Sequence, residues 1–255
     1  MLKSVSHIQG RTIQAIDGDI GKATEIYFDD EKWAIRYLIV DTGSWLAQRK
    51  VLISPYAIMQ PMQNDGPIRL ALNREQVKNS PDVDTHQPIS RRQESDQMRY
   101  YRYPEYWAGT DLWAMGGFPF MPVVPDAAIA PPAAPEIEVL IPSEDIHLRS
   151  SAHVKGYDIQ ASDGSIGHVS DFIFDDESWA LRYLVVDTRN WWPGGKKVLI
   201  SPQWIDDISW ADGAVSVHMT REQVKSAPEF DESLVLDRDY ETRLYASYNR
   251  PGYWD

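Results

Sequence analysis

Phe28-Asp29-Asp30-Glu31-Lys32-Trp33-Ala34-Ile35-Arg36-Tyr37-Leu38-Ile39-Val40-Asp41-Thr42 is written a second time, as Phe174-Asp175-Asp176-Glu177-Ser178-Trp179-Ala180-Leu181-Arg182-Tyr183-Leu184-Val185-Val186-Asp187-Thr188. Widening the comparison, residues 10–42 and 156–188 agree at 20 of 33 positions, which marks a duplicated structural unit. Past the loop that holds Trp45 or Trp191 the offset grows by one residue. Lys50–Pro55 then recurs as Lys197–Pro202, Arg74–Lys78 as Arg221–Lys225, and Tyr106-Trp107 as Tyr253-Trp254. The chain therefore reads as one unit at residues 1–107, a linker at 108–146 and a second unit at 147–255.

Inside each unit the turn chemistry comes first. Asp17-Gly18 and Asp163-Gly164, set between apolar runs, predict hairpins, because glycine takes positive φ at no steric cost. The acidic trio after Phe28 or Phe174 predicts the next turn. Ala34–Val40 and Ala180–Val186, rich in β-branched and aromatic residues and too short for a helix, read as central strands. Lys50–Ser54 and Lys197–Ser201 give another strand, ended by a proline that cannot donate to a ladder. Residues 68–72 and 215–219 alternate as half-buried strands do. Asn73 with Gln76, and Thr220 with Gln223, have capping-box spacing and predict a short helix before Pro81 or Pro228. The expected fold is mainly β: two tandem small antiparallel β-barrels, each with a short C-terminal helix and an aromatic tail, closed so that no sheet edge stays bare. The linker carries seven of the chain's 17 prolines and is expected to be extended, with its apolar Phe118, Phe120, Met121, Val123 and Val124 packed in part on a barrel.

Composition narrows the function. With ten Trp and thirteen Tyr the chain has ample surface to bury, so it should fold. There is no Cys, which excludes disulfides, thiolate nucleophiles and cysteine-held metals. The net charge of -13 is uneven: residues 1–107 hold 14 basic and 14 acidic side chains, and residues 144–255 hold 11 and 20. A phosphate backbone is bound through clustered Lys and Arg, so no nucleic-acid partner is expected. The start, Met1–His7, lacks the apolar core of a secretion signal, and the longest apolar-looking stretch, 113–125, is broken by Gly and Pro and falls short of the ~20 residues a span needs. No direct membrane insertion and a cytoplasmic location follow as expectations.

Few residues point to chemistry. No G-x-S-x-G elbow, H-E-x-x-H pair, phosphate loop or dinucleotide fingerprint appears, so the expected catalytic, cofactor and metal sites are none. Asp29-Asp30-Glu31 and Asp175-Asp176-Glu177 offer oxygens to a hard cation but lack the spacing of a calcium loop, and read as solvated turns. Asp41 and Asp187 read as turn caps acting with Thr42 and Thr188. Arg36 and Arg182 read as outward-facing partners of a carboxylate on a neighbouring strand, with a ligand cleft between the barrels as the minority reading. His7 and His153 are equivalent but have no second His at ligand spacing. Trp45, Trp191, Trp192, Tyr106, Trp107, Tyr253 and Trp254 are candidate interface anchors, since interfaces favour buried aromatics.

The ordered set of Asp-Gly, Ile-Gly, Phe-Asp-Asp-Glu, Trp, Arg-Tyr-Leu, Val-Asp-Thr and Lys-Val-Leu-Ile-Ser-Pro resembles the PRC-barrel family, over about 75 residues of each unit. That family takes its name from the cytoplasmic barrel of the photosynthetic reaction-centre H subunit. The resemblance implies a protein-docking module. The expected function is accordingly a non-enzymatic interaction or scaffold protein whose two barrels form an internal pseudo-dimer, with protein partners of unstated identity and homo-oligomers open to it. Two alternatives stay open: a small-ligand or metal-binding protein or enzyme with its site between the barrels, and an accessory factor of a membrane photosynthetic or electron-transfer complex.

Overall fold

The computed structural model describes residues 1–83, 88–120, 146–189, 191, 193–233 and 236–254. The first repeat contributes strands β1 (Leu2–Ser4), β2 (Thr12–Ala15), β3 (Gly18–Asp29), β4 (Ala34–Asp41), β5 (Lys50–Ile53) and β6 (Ile68–Arg69), then helices α1 (Arg74–Lys78) and α2 (Arg91–Tyr101). The second contributes β7 (Leu148–Ser150), the one-turn helix α3 (Ser151–Val154), β8 (Asp158–Ala161), β9 (Gly164–Asp175), β10 (Leu181–Asp187), β11 (Lys197–Ile200), β12 (Ile205–Ser209) and β13 (Ala214–Val217), then α4 (Arg221–Ser226) and α5 (Arg238–Ser247). Among the described residues no helix is long and apolar enough to cross a membrane.

Local chemistry accounts for these elements. In the first hairpin Ala15 pairs with Gly18, so the turn pair is Ile16-Asp17, one residue earlier than the Asp-Gly signal suggests. The Asp17 carboxylate instead accepts from the Arg74 N–H at 2.8 Å, as Asp163 does from Arg221, and so ties the hairpin to the start of α1 or α4. Both capping boxes form as the sequence predicts. The Ile-Gly pairs mark the crossing of two strands: a Cβ on Gly21 or Gly167 would lie 2.1 or 2.3 Å from the carbonyl oxygen of Asp41 or Asp187. Only glycine fits there.

Two sheets result, with matching order: β5-β4-β3-β2-β6 and β11-β10-β9-β8-β13-β12. Neither closes into a barrel, and each contains one parallel pair, β2 with β6 and β8 with β13, where closed antiparallel barrels were expected. The reason lies at both ends of the long strands. Pro55 and Pro202 open 3-10 turns after β5 and β11, so the chain turns a corner there instead of pairing across the gap. At the other end, beyond the pairing with β2 or β8, the free flank of β3 or β9 is taken by a strand of the sister repeat.

That occupation is reciprocal. β1 pairs with β9, Leu2 opposite Asp175 and Ser4 opposite Ile173, while β7 pairs with β3, Leu148 opposite Asp29 and Ser150 opposite Tyr27. Each contact has its twin. The Met1 carbonyl accepts from Asp176 N–H at 2.9 Å and the His147 carbonyl from Asp30 N–H at 3.1 Å. Lys3 pairs with Asp176 at 2.7 Å and Arg149 with Asp30 at 2.6 Å. Ala34 and Ala180, equivalent residues, form an antiparallel bridge, flanked by Ile35 N–H to the Trp179 carbonyl at 2.8 Å and Leu181 N–H to the Trp33 carbonyl at 2.7 Å. Trp33 and Trp179 hold left-handed backbone, φ 52° and 60°, to aim those carbonyls. A two-fold arrangement in which residue i meets j and j's twin meets i's twin has the form of an isologous interface.

Two outcomes follow. Cleavage at a protease site inserted between Pro125 and Pro131 should leave both halves co-eluting at the mass of the uncut chain; elution as two separate species without denaturant would contradict the exchange. Gly167→Ala should lower stability by about 1–3 kcal/mol in denaturant titration, the scale of a clash at strained backbone. Gly117→Ala, whose Cβ would meet nothing within 4 Å, should be near neutral.

Candidate functional site

Each repeat contains a buried carboxylate that its own helix brings to the sheet. Ser90 caps α2 and Asp237 caps α5, and these helices place Glu94 and Glu241 at equivalent positions. In the second repeat Glu241 accepts from the Tyr183 hydroxyl of β10 at 2.6 Å and the Tyr253 hydroxyl of the tail at 3.0 Å, and pairs with Arg238 at 3.1 Å. In the first, Glu94 accepts from Tyr106 at 2.6 Å and pairs with Arg91 at 3.3 Å, while Arg91 also donates to the Tyr106 oxygen at 2.7 Å. Glu94 and Tyr106 are fully buried. Burial raises the Glu94 carboxyl to about 7, against the lowering pull of Arg91 and the Tyr106 hydrogen bond. Burial likewise pushes Tyr37, beside it, well above the usual tyrosine value, with the Glu94 charge adding to the effect.

A perturbed carboxylate beside two phenols and a guanidinium is the kind of group that acid/base catalysis uses. Catalysis also needs hydrogen-bond reach to a substrate. Glu94 presents no surface to a solvent-borne molecule, and its oxygens are committed to the tail and to Arg91. The constellation is a lock that fastens helix to aromatic tail in both repeats and, through Tyr183, to the sheet in the second.

Arg36 lies next to this lock and corrects the outward-facing reading. It is fully buried, its Nη2 and Nε at 2.9 and 3.3 Å from Asp29 on β3, with Nη1 donating to the Leu112 carbonyl at 2.7 Å. Its guanidinium stacks on Tyr106 at 3.8 Å and Trp113 at 4.6 Å. The carboxylate partner on a neighbouring strand is present, but the pair faces inward because the tail covers it. Arg182 is about a quarter exposed, 3.7 Å from Asp175 and 4.4 Å from the Tyr253 ring.

The remaining candidates sit as follows. Asp41 and Asp187 cap their turns, accepting from Gly43 N–H at 2.8 Å and Arg189 N–H at 2.9 Å. Asp187 is held at about 2 by its hydrogen bond from the Arg189 side chain. Of the acidic turn residues, Asp30 and Asp176 pair with the sister repeat, and Asp29 and Asp175 with arginines of their own. Among the described residues no group of three or more His, Asp or Glu is placed to hold a metal. Trp45 lies under Arg74 at 4.6 Å, and Trp191 donates to Ser165 at 2.7 Å beside His168. Trp107 is half-buried under Arg91 and Trp254 under Arg238. Trp192 lies outside the described residues, as do Met121, Val123 and Val124. In the linker Trp113 is buried, whereas Phe118 and Phe120 are exposed.

Two clefts between the repeats are twins. One, about 530 Å³, is lined by Lys3, His7 and Ile8 against Phe174 and Phe230. The other, about 550 Å³, is lined by Arg149, His153 and Val154 against Tyr27 and Trp210. Neither is lined by Arg36, Arg182 or the turn acids. The sequence reading missed α2, α5 and their glutamates, although Arg91-Arg92-Gln93-Glu94 and Arg238-Asp239-Tyr240-Glu241 share an Arg-x-x-Glu repeat in register.

The lock has a pH signature. A carboxyl raised from 4.5 to about 7 on folding lends stability that is fully present below 4.5 and lost as pH rises through 7. The loss should reach the order of 3 kcal/mol at 1.36 kcal/mol per unit. Glu94→Gln should flatten the stability profile between those pH values, measured by denaturant midpoints; an unchanged slope would remove Glu94 as its source.

No curated protein matches the chain significantly. The family model of the PRC-barrel domain matches residues 148–223, from the exchanged strand β7 to the capping-box glutamine of α4. Residues 148–223 of this chain are thus a PRC-barrel domain.

Proposed function

We propose that the first repeat is a PRC-barrel domain too, and that the chain is a non-enzymatic docking scaffold, a single-chain pseudo-dimer of the two. The observation that carries this reading is where the polar chemistry goes. Lys3, Arg149, Asp30 and Asp176 bind the repeats to one another. Glu94 and Arg91 hold Tyr106 of the first tail to α2, and Glu241 holds both Tyr253 of the second tail and Tyr183 of the sheet to α5. What is left for the outside is shape and charge, and these differ between the two halves.

A tether makes the pairing intramolecular, so assembly does not depend on protein concentration. A dimer of identical chains presents the same face twice; a tethered pair is free to diverge. Here the first repeat is near neutral and the second acidic. The twin clefts favour a second reading, a small-ligand protein, because their volumes suit a metabolite. Native mass spectrometry of the chain purified from its source cells separates the two. A protein partner at fixed stoichiometry is expected. A stoichiometric small molecule or metal without any protein partner overturns the scaffold reading.

A further inference from the structure

The two repeats are not covered alike, and the difference has a definite shape. In the first, the chain beyond Trp107 makes a tight turn, Trp113 N–H to the Gly116 carbonyl at 2.8 Å and the reverse at 2.6 Å. Lys32 gathers it by donating to the carbonyls of Gly109, Thr110 and Asp111 at 3.3, 3.2 and 2.5 Å. The turn sends Trp113 into the molecule, where it is 1% exposed. The indole stacks on Arg36, meets Tyr56 edge-on at 5.0 Å, and donates through Nε1 to the Ser178 carbonyl of the sister repeat at 2.7 Å.

At the twin position the same groups stand less covered. The side chain of Arg182 is 26% exposed against 0% for Arg36, and that of Asp175 is 23% exposed against 4% for Asp29. Trp33 is half-buried where Trp179 is fully buried. The buried Nε of Arg182 meets no hydrogen-bond partner among the described residues, and Asp175, shared with the Met1 ammonium at 3.4 Å, stands 3.7 Å away. Tyr253 covers one face of the guanidinium, as Tyr106 does for Arg36. Among the described residues nothing stands in for Leu112 and Trp113.

We infer that Arg182, Asp175 and Tyr253, with Trp33 and Lys32 of the first repeat beside them, form a socket for a partner polypeptide presenting a Leu-Trp turn. The chain's own Leu112–Trp113 turn, seated in the first socket, defines the occupant. The partner's indole packs on the Arg182 guanidinium beside Tyr253, as Trp113 packs on Arg36 beside Tyr106, and a cation over an aromatic ring is attracted by the ring quadrupole. The carbonyl before it accepts from Arg182. Its N–H donates to the Lys32 carbonyl, the counterpart of Ser178. Tryptophan is also the side chain that most often anchors an interface. This deepens the scaffold reading and rests on it.

The test uses the intact chain and a synthetic peptide of residues 108–117 added in trans, followed by calorimetry and by the indole resonances of labelled protein. Saturable one-to-one binding is expected, with the Trp33 indole shifted, and about tenfold weaker binding for a peptide carrying Trp113→Ala. Arg182→Ala in the protein should abolish it. The peptide variant keeps the comparison decisive if that protein fails to fold. No binding, equal binding of the two peptides, or binding unchanged by Arg182→Ala in a folded protein each overturns the socket. A failed peptide beside a protein partner in native mass spectrometry removes the socket alone, whereas a small molecule in place of any protein partner removes the scaffold.

Discussion

Two strands of three residues each, crossing from one repeat to the other, are the constraint on which the rest of this structure hangs. β1 and β7 complete a sheet that belongs to the sister sequence, so neither sheet has its full complement of backbone partners alone. An unpaired strand edge is a liability that a folded chain must cover. The exchange covers the free flank of β3 and of β9 at once. It also explains the fate of the acidic turns. Asp30 and Asp176 directly follow strands that meet the sister, and a carboxylate there is placed to pair with Arg149 or Lys3. A pair of twin bridges with each partner largely removed from water has a fixed geometry and resists breaking from one side, because the orphaned charge would be costly.

How much of this was legible in the sequence depends on the range of the interaction. The capping boxes, the turn acids and the prolines that end β5 and β11 act within a few residues, and each behaves as its local chemistry dictates. The Ile-Gly pairs were visible as repeats, but their reason, a carbonyl of the next strand 2.1 or 2.3 Å from where a Cβ would stand, is a tertiary fact. The strand exchange left no local trace, since Leu2-Lys3-Ser4 and Leu148-Arg149-Ser150 pair equally well with either copy of a repeated strand. Duplication itself hides this: two similar docking edges, Tyr27-Phe28-Asp29 and Ile173-Phe174-Asp175, give no sequence signal of which is used. Arg36 was misread for a related reason. Alternation along β4 assigns faces of a sheet, and the tail that buries one of those faces lies some seventy residues away, at Leu112 and Trp113.

The helices that carry Glu94 and Glu241 were missed because the tail was read for its aromatics alone. Polar residues around α2 leave no clean apolar stripe: Glu94, Ser95 and Gln97 are buried beside Met98. Such a helix is held by hydrogen bonds to buried partners more than by its apolar face. This has an energetic consequence. A buried carboxylate fully satisfied by phenols and an arginine specifies one position for the tail, but it stabilises only while every partner is in place. The lock therefore favours a single arrangement of tail and sheet over a merely sticky one.

That arrangement bears on why a duplicated chain keeps two copies so alike inside and so unlike outside. The matched residues fall on the sheet, the turns and the lock, where a change in one repeat must be answered in its twin because both contribute to each interface. The charge difference, zero against -9, falls on side chains free of that reciprocity. The same division separates Arg36 from Arg182. Each arginine has the equivalent Asp and Tyr beside it, Asp29 and Tyr106 or Asp175 and Tyr253, while the covering differs: in the first repeat the covering turn comes from the chain itself, and it leans on Ser178 of the second. Trp113 is thus a contact of both repeats, and it breaks the two-fold relation without disturbing either sheet. A pair built this way keeps symmetry where symmetry holds it together and gives it up at Trp113, a covered position where its two faces become different surfaces.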